Sequence, residues 1–173
     1  MAVEIIYETH SLTEDNESGH ATGWRPGRLS STGRHNAVDL GTRRAGVDAV
    51  FSSDLARAVE TVTIAFGDTD VPVFYDWRLR ECDFGDLNGA PAAQVRAIEH
   101  VDLPFPGGES VLQSINRVSG LLADLPSRWD GQTVLIVGHM ATWRALEHYL
   151  NGVPVEDLVA NPFEWREGWH YTL

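Results

Sequence analysis

Short apolar runs recur along the chain, separated by stretches of helical spacing or turn chemistry. Val3 to Tyr7 reads as a buried strand. Glu8 to Leu29 is polar, holds Gly19, Gly23, Pro26 and Gly27, and carries neither a helical nor a strand period. A loop of that length inside a compact domain is uncommon and is more often functional or disordered. Ser30 to Arg44 is predicted helical, with Ser30 or Ser31 as N-cap and Gly46 as its stop. Ala49 to Phe51 is a short second strand. Ser53 or Asp54 then caps a helix running to Phe66 and closed by Gly67. Val71 to Tyr75 is a third strand, and Asp76 to Gly89 is irregular. Pro91 to His100 is predicted helical. Leu103-Pro104-Phe105-Pro106-Gly107-Gly108 is a loop, because Pro and Gly break both periods.

Val111, Leu112, Ile115, Val118, Leu122 and Leu125 recur at helical spacing, and Pro126 ends that helix. Thr133 to Val137 is the strongest strand signal. Met140 to Leu150 is a helix stopped by Asn151-Gly152, and the weakly alternating tail from Trp165 to Leu173 can add an edge strand. Strands alternating with helices predict an α/β fold with a mainly parallel sheet and helices on both faces. With no repeat, low-complexity segment or linker, residues 1–173 read as a single domain.

Composition narrows the function classes. The 173 residues are 43% hydrophobic, enough for a sizeable core. No apolar run approaches the roughly 20 residues of a membrane span, and the segment from Met1 to Ile6 has no secretory pattern. One cysteine, Cys82, excludes an internal disulfide and a cysteine-based zinc cage. A cytoplasmic setting is expected. All 13 basic residues are Arg, against 25 acids, for a net charge of -12. Such a chain repels nucleic acid and anionic membranes at long range. The balance is uneven: residues 1–57 carry 6 Arg and 8 acids, the remainder 7 Arg and 17 acids. An anionic ligand therefore needs a local arginine and histidine cluster, expected from the N-terminal third.

Ligands of open parallel sheets bind beyond the carboxyl ends of the strands. His10 follows the first strand, Arg57 lies in the first turn after the second, Glu81 in the loop after the third, and His139 follows the fourth. Two histidines, an arginine and a carboxyl suit phosphoryl transfer through a histidine. A neutral imidazole attacks phosphorus without a metal, and charge spread over the equatorial oxygens needs positioned cations. Arg57 can fork onto two oxygens, an imidazolium at His139 can face the same group, and Glu81 can protonate the leaving oxygen.

Five motifs in order sharpen this: Thr9-His10-Ser11; Phe51-Ser52-Ser53-Asp54-Leu55-Ala56-Arg57-Ala58-Val59-Glu60-Thr61; Leu79-Arg80-Glu81-Cys82-Asp83-Phe84-Gly85-Asp86-Leu87-Asn88-Gly89; Pro106-Gly107-Gly108-Glu109-Ser110; and Val137-Gly138-His139. Together they resemble the histidine phosphatase superfamily, which includes cofactor-dependent phosphoglycerate mutases, over nearly the whole chain. The resemblance implies a three-layer α/β/α sandwich and a phosphohistidine at His10. It implies that Arg57 and His139 line the phosphate pocket, that Glu81 is the proton donor and that Asn16 donates to a phosphate oxygen. Backbone at Thr22-Gly23 would approach the substrate.

Thr9 and Ser11 stand where the family motif has arginine and glycine. A charge-assisted hydrogen bond is worth about 1.5–3 kcal/mol, so the missing guanidinium costs about 10- to 100-fold unless Arg25, Arg28 or Arg80 replaces it. Ser11 adds a Cβ beside the imidazole, and Glu8 adds a negative charge. Asp86 to Leu103 holds one arginine, Arg96, leaving little positive charge for a bisphosphate. The expected function is a metal-independent phosphatase acting on a small phosphomonoester. The alternatives are a cofactor-dependent phosphoglycerate mutase and a catalytically weak module binding a phosphate ligand. No cofactor or metal is implied, and a homodimer is possible.

For single residues the plainer readings are a core role for His139 and a surface ion pair of Arg57 with Glu60 or Glu81. Asp83 competes with Glu81 as proton donor. Arg43-Arg44 reads as a solvated helix end, favourable near the helix's negative pole. His20, His35, His100, His148 and His170 read as structural or solvated, and no His-Glu-x-x-His pattern points to zinc. Trp24, Trp77, Phe84 and Phe105 form either a substrate rim or core anchors. Trp129, Trp165 and Trp169 read as packing residues.

Overall fold

The computed structural model describes residues 2–161 and 163–173, so Met1 of the N-terminal segment lies outside it. The elements in chain order are β1 (Glu4–Thr9), α1 (Glu14–Glu17), β2 (His20–Ala21), α2 (Ser31–Arg43), β3 (Ala49–Ser52), α3 (Ala56–Phe66) and β4 (Val73–Tyr75). They continue with β5 (Ala90–Pro91), α4 (Val111–Asp124), α5 (Pro126–Trp129), β6 (Thr133–Gly138), α6 (Met140–Asn151), α7 (Val155–Ala160) and β7 (Trp169–Thr172). The main sheet has the order β4-β3-β6-β1-β7. Its pairings are parallel except for β7, which runs antiparallel to β1 at the edge.

Side-chain alternation divides the strands between two faces. Ile5, Tyr7, Ala49, Phe51, Val134 and Ile136 join one core cluster with Val111, Ile115 and Val118 of α4 and Leu146 of α6. Val50, Leu135 and Val137 join a second with Leu40 of α2 and Val62 and Phe66 of α3. The result is a three-layer α/β/α arrangement. Each fully buried Leu, Ile or Val contributes about 1.5–3 kcal/mol. No helix among the described residues is long and apolar enough to cross a membrane.

Several local expectations change. Pro91 to His100 is two 3₁₀ turns, Ala92–Gln94 and Ala97–His100, separated by non-helical backbone at Val95 and Arg96. Val95 packs inward, but Ile98 is exposed, so no continuous apolar stripe holds a helix there. Neither Ser53 nor Asp54 caps α3: Leu55 stands at that position without a side-chain cap, and Asp54 is held by Arg80. Ser30 does cap α2, through the Gly33 N–H. Pro126 starts the extra turn α5, a place where its missing N–H costs nothing. The long polar stretch contains α1, whose Thr13 and Asn16 form a reciprocal capping box, and β2, which pairs with β5. Helix α7 was not foreseen.

Helices α2 and α3 meet at Gly41, where an added Cβ would lie 2.2 Å from the Ala65 carbonyl oxygen. Gly41→Ala is expected to lower the thermal unfolding midpoint by about 3–10 °C, the overpacking cost outweighing the gain in helix propensity. Gly46→Ala, whose Cβ meets open space, should change it little; equal midpoints for the two variants would refute the close contact.

Candidate active site

Parallel pairing of β1 with β6 sets Thr9 opposite Gly138. The His10 N–H extends that ladder by one bond, 2.9 Å to the Gly138 carbonyl. The residues that follow the two strands, His10 and His139, therefore emerge side by side, with ring centroids 5.0 Å apart. The buried Tyr7 hydroxyl donates to the His139 carbonyl at 2.6 Å, and burial pushes its pKa well above the usual phenol range. The Ser11 N–H is held by Thr61 Oγ1, whose hydroxyl donates to the Arg57 carbonyl. This ties the loop after β1 to the first turn of α3.

Arg57 is 2% exposed. Its Nε–H donates to His10 Nε2 (3.3 Å), and one Nη2 N–H donates to the Gly23 carbonyl (2.9 Å). Nη2 also meets His139 Nδ1 at 3.2 Å, and Nη1 donates to the Arg25 carbonyl. These contacts assign the tautomers. His10 Nδ1 lies 2.8 Å from the Ser11 carbonyl oxygen and must carry the proton there, leaving the lone pair on Nε2. His139 accepts on Nδ1 and carries its proton on Nε2, a buried N–H with no partner among the described residues.

Burial, then the charge of Arg57, lowers the His10 pKa to about 3. The same causes, in that order, hold His139 well below the usual imidazole range. The resting ring at 139 is therefore neutral, not the imidazolium expected from sequence. Burial lowers Arg57 to about 10, opposed by Glu81 and then Asp15, so it remains a cation at neutral pH.

Glu81 Oε1 accepts the N–H groups of Cys82 (2.9 Å) and Ala141 (3.1 Å), at the start of α6. Its Oε2 has no hydrogen-bond partner among the described residues. Its carbonyl is gripped by the Trp24 indole N–H and by Arg117, which also forks onto Glu109. Asp83 is occupied inside its own loop by Gly85 and Asn88. The Cys82 thiol is buried, which pushes its pKa up to about 12.

A cavity of about 400 Å³ brings Thr9, His10, Ser11, Asn16, Glu81 and His139 together. Asn16 spends its Oδ1 on the Thr13 N–H, leaving its amide donors free. Thr22 and Gly23 do not line this cavity: the Thr22 hydroxyl donates to Asp15, and the Gly23 carbonyl holds Arg57. A Cβ at Gly23, where φ is +56°, would meet Asn88 Oδ1. Arg57 pairs with neither Glu60 nor Glu81; Glu60 is taken by Arg34 and the Leu29 N–H.

The loop arginines do not enter the cavity lining. Arg80 forks onto Asp54 and stacks on Trp24, and the Arg25 guanidinium lies against Gly89. Arg43 does line it, together with Glu8, Asn36, Phe163 and Trp165. Two sequence readings are thereby overturned. Arg43 and Arg44 are not a solvated helix end, because both bond Glu8, a side chain 1% exposed. Trp165 is not a packing residue but an exposed wall of the cavity. Trp24, Trp77, Phe84 and Phe105 do not line it; Phe105 is a core anchor against Phe84 and His100. The other histidines lie outside it, and no metal-binding group of three side chains occurs among the described residues.

The family model described as histidine phosphatase superfamily (branch 1) matches residues 9–164. A 2,3-bisphosphoglycerate-dependent phosphoglycerate mutase of Methylocella silvestris is 34% identical, over 82% of this chain and 78% of its own. One from Staphylococcus haemolyticus is 29% identical, over 90% and 88%. Among solved structures, a mycobacterial glucosyl-3-phosphoglycerate phosphatase superposes with a TM-score of 0.78 at 28% identity, covering 91% of this chain and 86% of its own. The α-ribazole phosphatase of Shigella flexneri gives 0.76 at 26% identity, over 90% and 83%.

The neutral histidines couple stability to acidity. His10 titrates near 6.5 when unfolded and near 3 when folded. Below about pH 6.5 the unfolded chain binds a proton that the folded one refuses. This contribution is complete above that pH and is lost as pH falls, by at most about 1.4 kcal/mol per pH unit. His10→Asn should flatten the fall of the unfolding midpoint across this window; parallel curves for variant and wild type would contradict the neutral ring.

Proposed function

The chain belongs to the histidine phosphatase superfamily, and within it we propose a phosphatase that hydrolyses a small phosphomonoester through a phosphohistidine at His10. The tautomer of His10 carries this reading. Its Nδ1 is committed to the Ser11 carbonyl, which leaves Nε2 as the one nitrogen of this ring with a lone pair, on a residue that lines the cavity, so we assign Nε2 as the nucleophile. In the resting site Arg57 covers that lone pair. A phosphoryl dianion offers the guanidinium a stronger acceptor than a neutral ring, so Arg57 moves to its oxygens and uncovers Nε2. The free Nε2–H of His139 donates to the same group, and the dianion there favours protonation of that ring.

Nε2 then attacks phosphorus, the P–N bond forms and the ester P–O bond breaks. The leaving oxygen takes its proton from the Glu81 carboxyl. In the second half Glu81, now a carboxylate, takes a proton from water as the water oxygen attacks phosphorus. The P–N bond breaks, returning neutral His10 and inorganic phosphate. Hydrolysis is favoured over mutase chemistry by the charge of the cavity: its described lining has one arginine, Arg43, against Glu8 and Glu81, an unfavourable place for a bisphosphate.

Hydrolysis of p-nitrophenyl phosphate in the presence of EDTA is expected, and His10→Ala should abolish it. Persistence at the wild-type rate in that variant would reject the assigned nucleophile. Turnover of 3-phosphoglycerate to its isomer with 2,3-bisphosphoglycerate present, faster than hydrolysis, would instead favour the mutase reading.

Glu81→Gln should slow alkyl phosphates by about 100-fold or more and p-nitrophenyl phosphate much less, since nitrophenolate leaves without a proton. Equal losses for both substrates would remove Glu81 from the donor role.

A further inference from the structure

We propose that Arg43 is a substrate-binding residue, supplying from helix α2 the guanidinium that meets the phosphoryl oxygens at the open side of the cavity. The inference rests on the phosphatase reading of the same site. A phosphoryl dianion entering a chain of net charge -12 needs a cation within reach. Both histidines lining the cavity are neutral at rest. Arg57 is buried behind them and reaches the phosphoryl group only by giving up its contacts with two rings and two carbonyls, so a cation already facing the cavity is needed to draw the dianion in. Glu8 and Glu81 on the lining are acids. Arg43 is the one formally cationic side chain among the described residues of that lining.

Its setting is built to hold a guanidinium in place. Asn36, Leu40 and Arg43 all line the cavity, at the i, i+4, i+7 spacing of one helix face. Glu8, at the end of β1, takes Arg43 Nε on Oε1 and Nη2 on Oε2, both at 3.1 Å. This bidentate contact fixes the plane of the fork. Nη1 is left without a hydrogen-bond partner among the described residues. Arg44 adds a second guanidinium to Glu8 at 2.9 Å, so the buried carboxylate is shared between two cations, of which Arg43 is the one on the cavity. Arg44 is not on the cavity, and its Nη2 donates to the Glu167 carbonyl. Ladder alternation sends the side chains of residues 8 and 10 to the same side of the sheet edge. The carboxylate that pins Arg43 and the imidazole assigned as nucleophile thus share one wall. Thr9, where the sequence motif lacks its arginine, leaves the cavity open for this charge arriving from another element.

The test measures inorganic phosphate binding by calorimetry and p-nitrophenyl phosphate kinetics on the intact chain. Arg43→Ala is expected to weaken phosphate binding and to lower kcat/KM, each by about 10- to 100-fold. Arg44→Ala removes the other partner of Glu8 and should leave both within about 5-fold. Adding Thr9→Arg to Arg43→Ala should recover part of the loss. If Arg43→Ala destabilises the fold, the double variant Arg43→Ala, Glu8→Gln removes the buried carboxylate that is left with Arg44 as its one cationic partner and should keep the weak phosphate binding. Unchanged phosphate binding in the Arg43 variants, or equal losses for Arg43→Ala and Arg44→Ala, would overturn the proposal. Because binding is read without turnover, a wild type that binds phosphate through Arg43 but hydrolyses nothing would sink the phosphatase reading alone.

Discussion

The register between β1 and β6 is the constraint from which the site follows. Two parallel strands end at the same edge of the sheet, with Thr9 facing Gly138, so the next residue of each must be a neighbour of the other. A slip of one residue would turn every side chain of β1 to the opposite face and break the division of Ile5 and Tyr7 from Ile6 between the two cores. Hydrophobic burial along a strand therefore fixes where the imidazoles stand, far more firmly than the polar contacts at its end. Tyr7 makes the link explicit: its ring belongs to the core, and its hydroxyl holds the backbone of His139.

Around this fixed pair the loops are positioned by arginines. Arg117 joins the backbone of Arg78, Arg80 and Glu81 to Glu109. Arg80 ties the same segment to Asp54 beside α3, and Arg78 ties it to Asp76 and to Asp124 on α4. A planar fork binds a carboxylate with a defined orientation, which a flexible ammonium does not. A chain without lysine thus uses its cations largely as joints, and these joints hold the backbone of the segment that carries Glu81.

Much of this was legible from sequence because it is periodic or local. The apolar run at Thr133 to Val137 and the helical stripe from Val111 to Leu125 reflect burial, and their order implies a parallel sheet. His10, Arg57, Glu81 and His139 could then be placed by their position after strands. What could not be read depends on contacts between distant segments. Arg43 and Arg44 already had a local explanation at the negative end of α2, and nothing nearby in the sequence points to Glu8, 35 residues earlier. Ser53 and Asp54 are good cap residues, but Arg80 takes Asp54. The neutral state of His139 arises from burial beside Arg57, whereas sequence supplies only the residue type.

The resting contacts of Arg57 carry one more consequence. Its guanidinium is already satisfied by ring nitrogens and carbonyl oxygens, so an arriving anion does not find it free. A visitor must outbid neutral acceptors that are already in place. A doubly charged group does so easily, whereas a diester or a carboxylate, bearing one charge, gains far less from the exchange. With His10 as the nucleophile proposed above, this self-contact would act as a threshold on valence, screening entrants before shape is consulted and keeping the imidazole nitrogen masked from the rest.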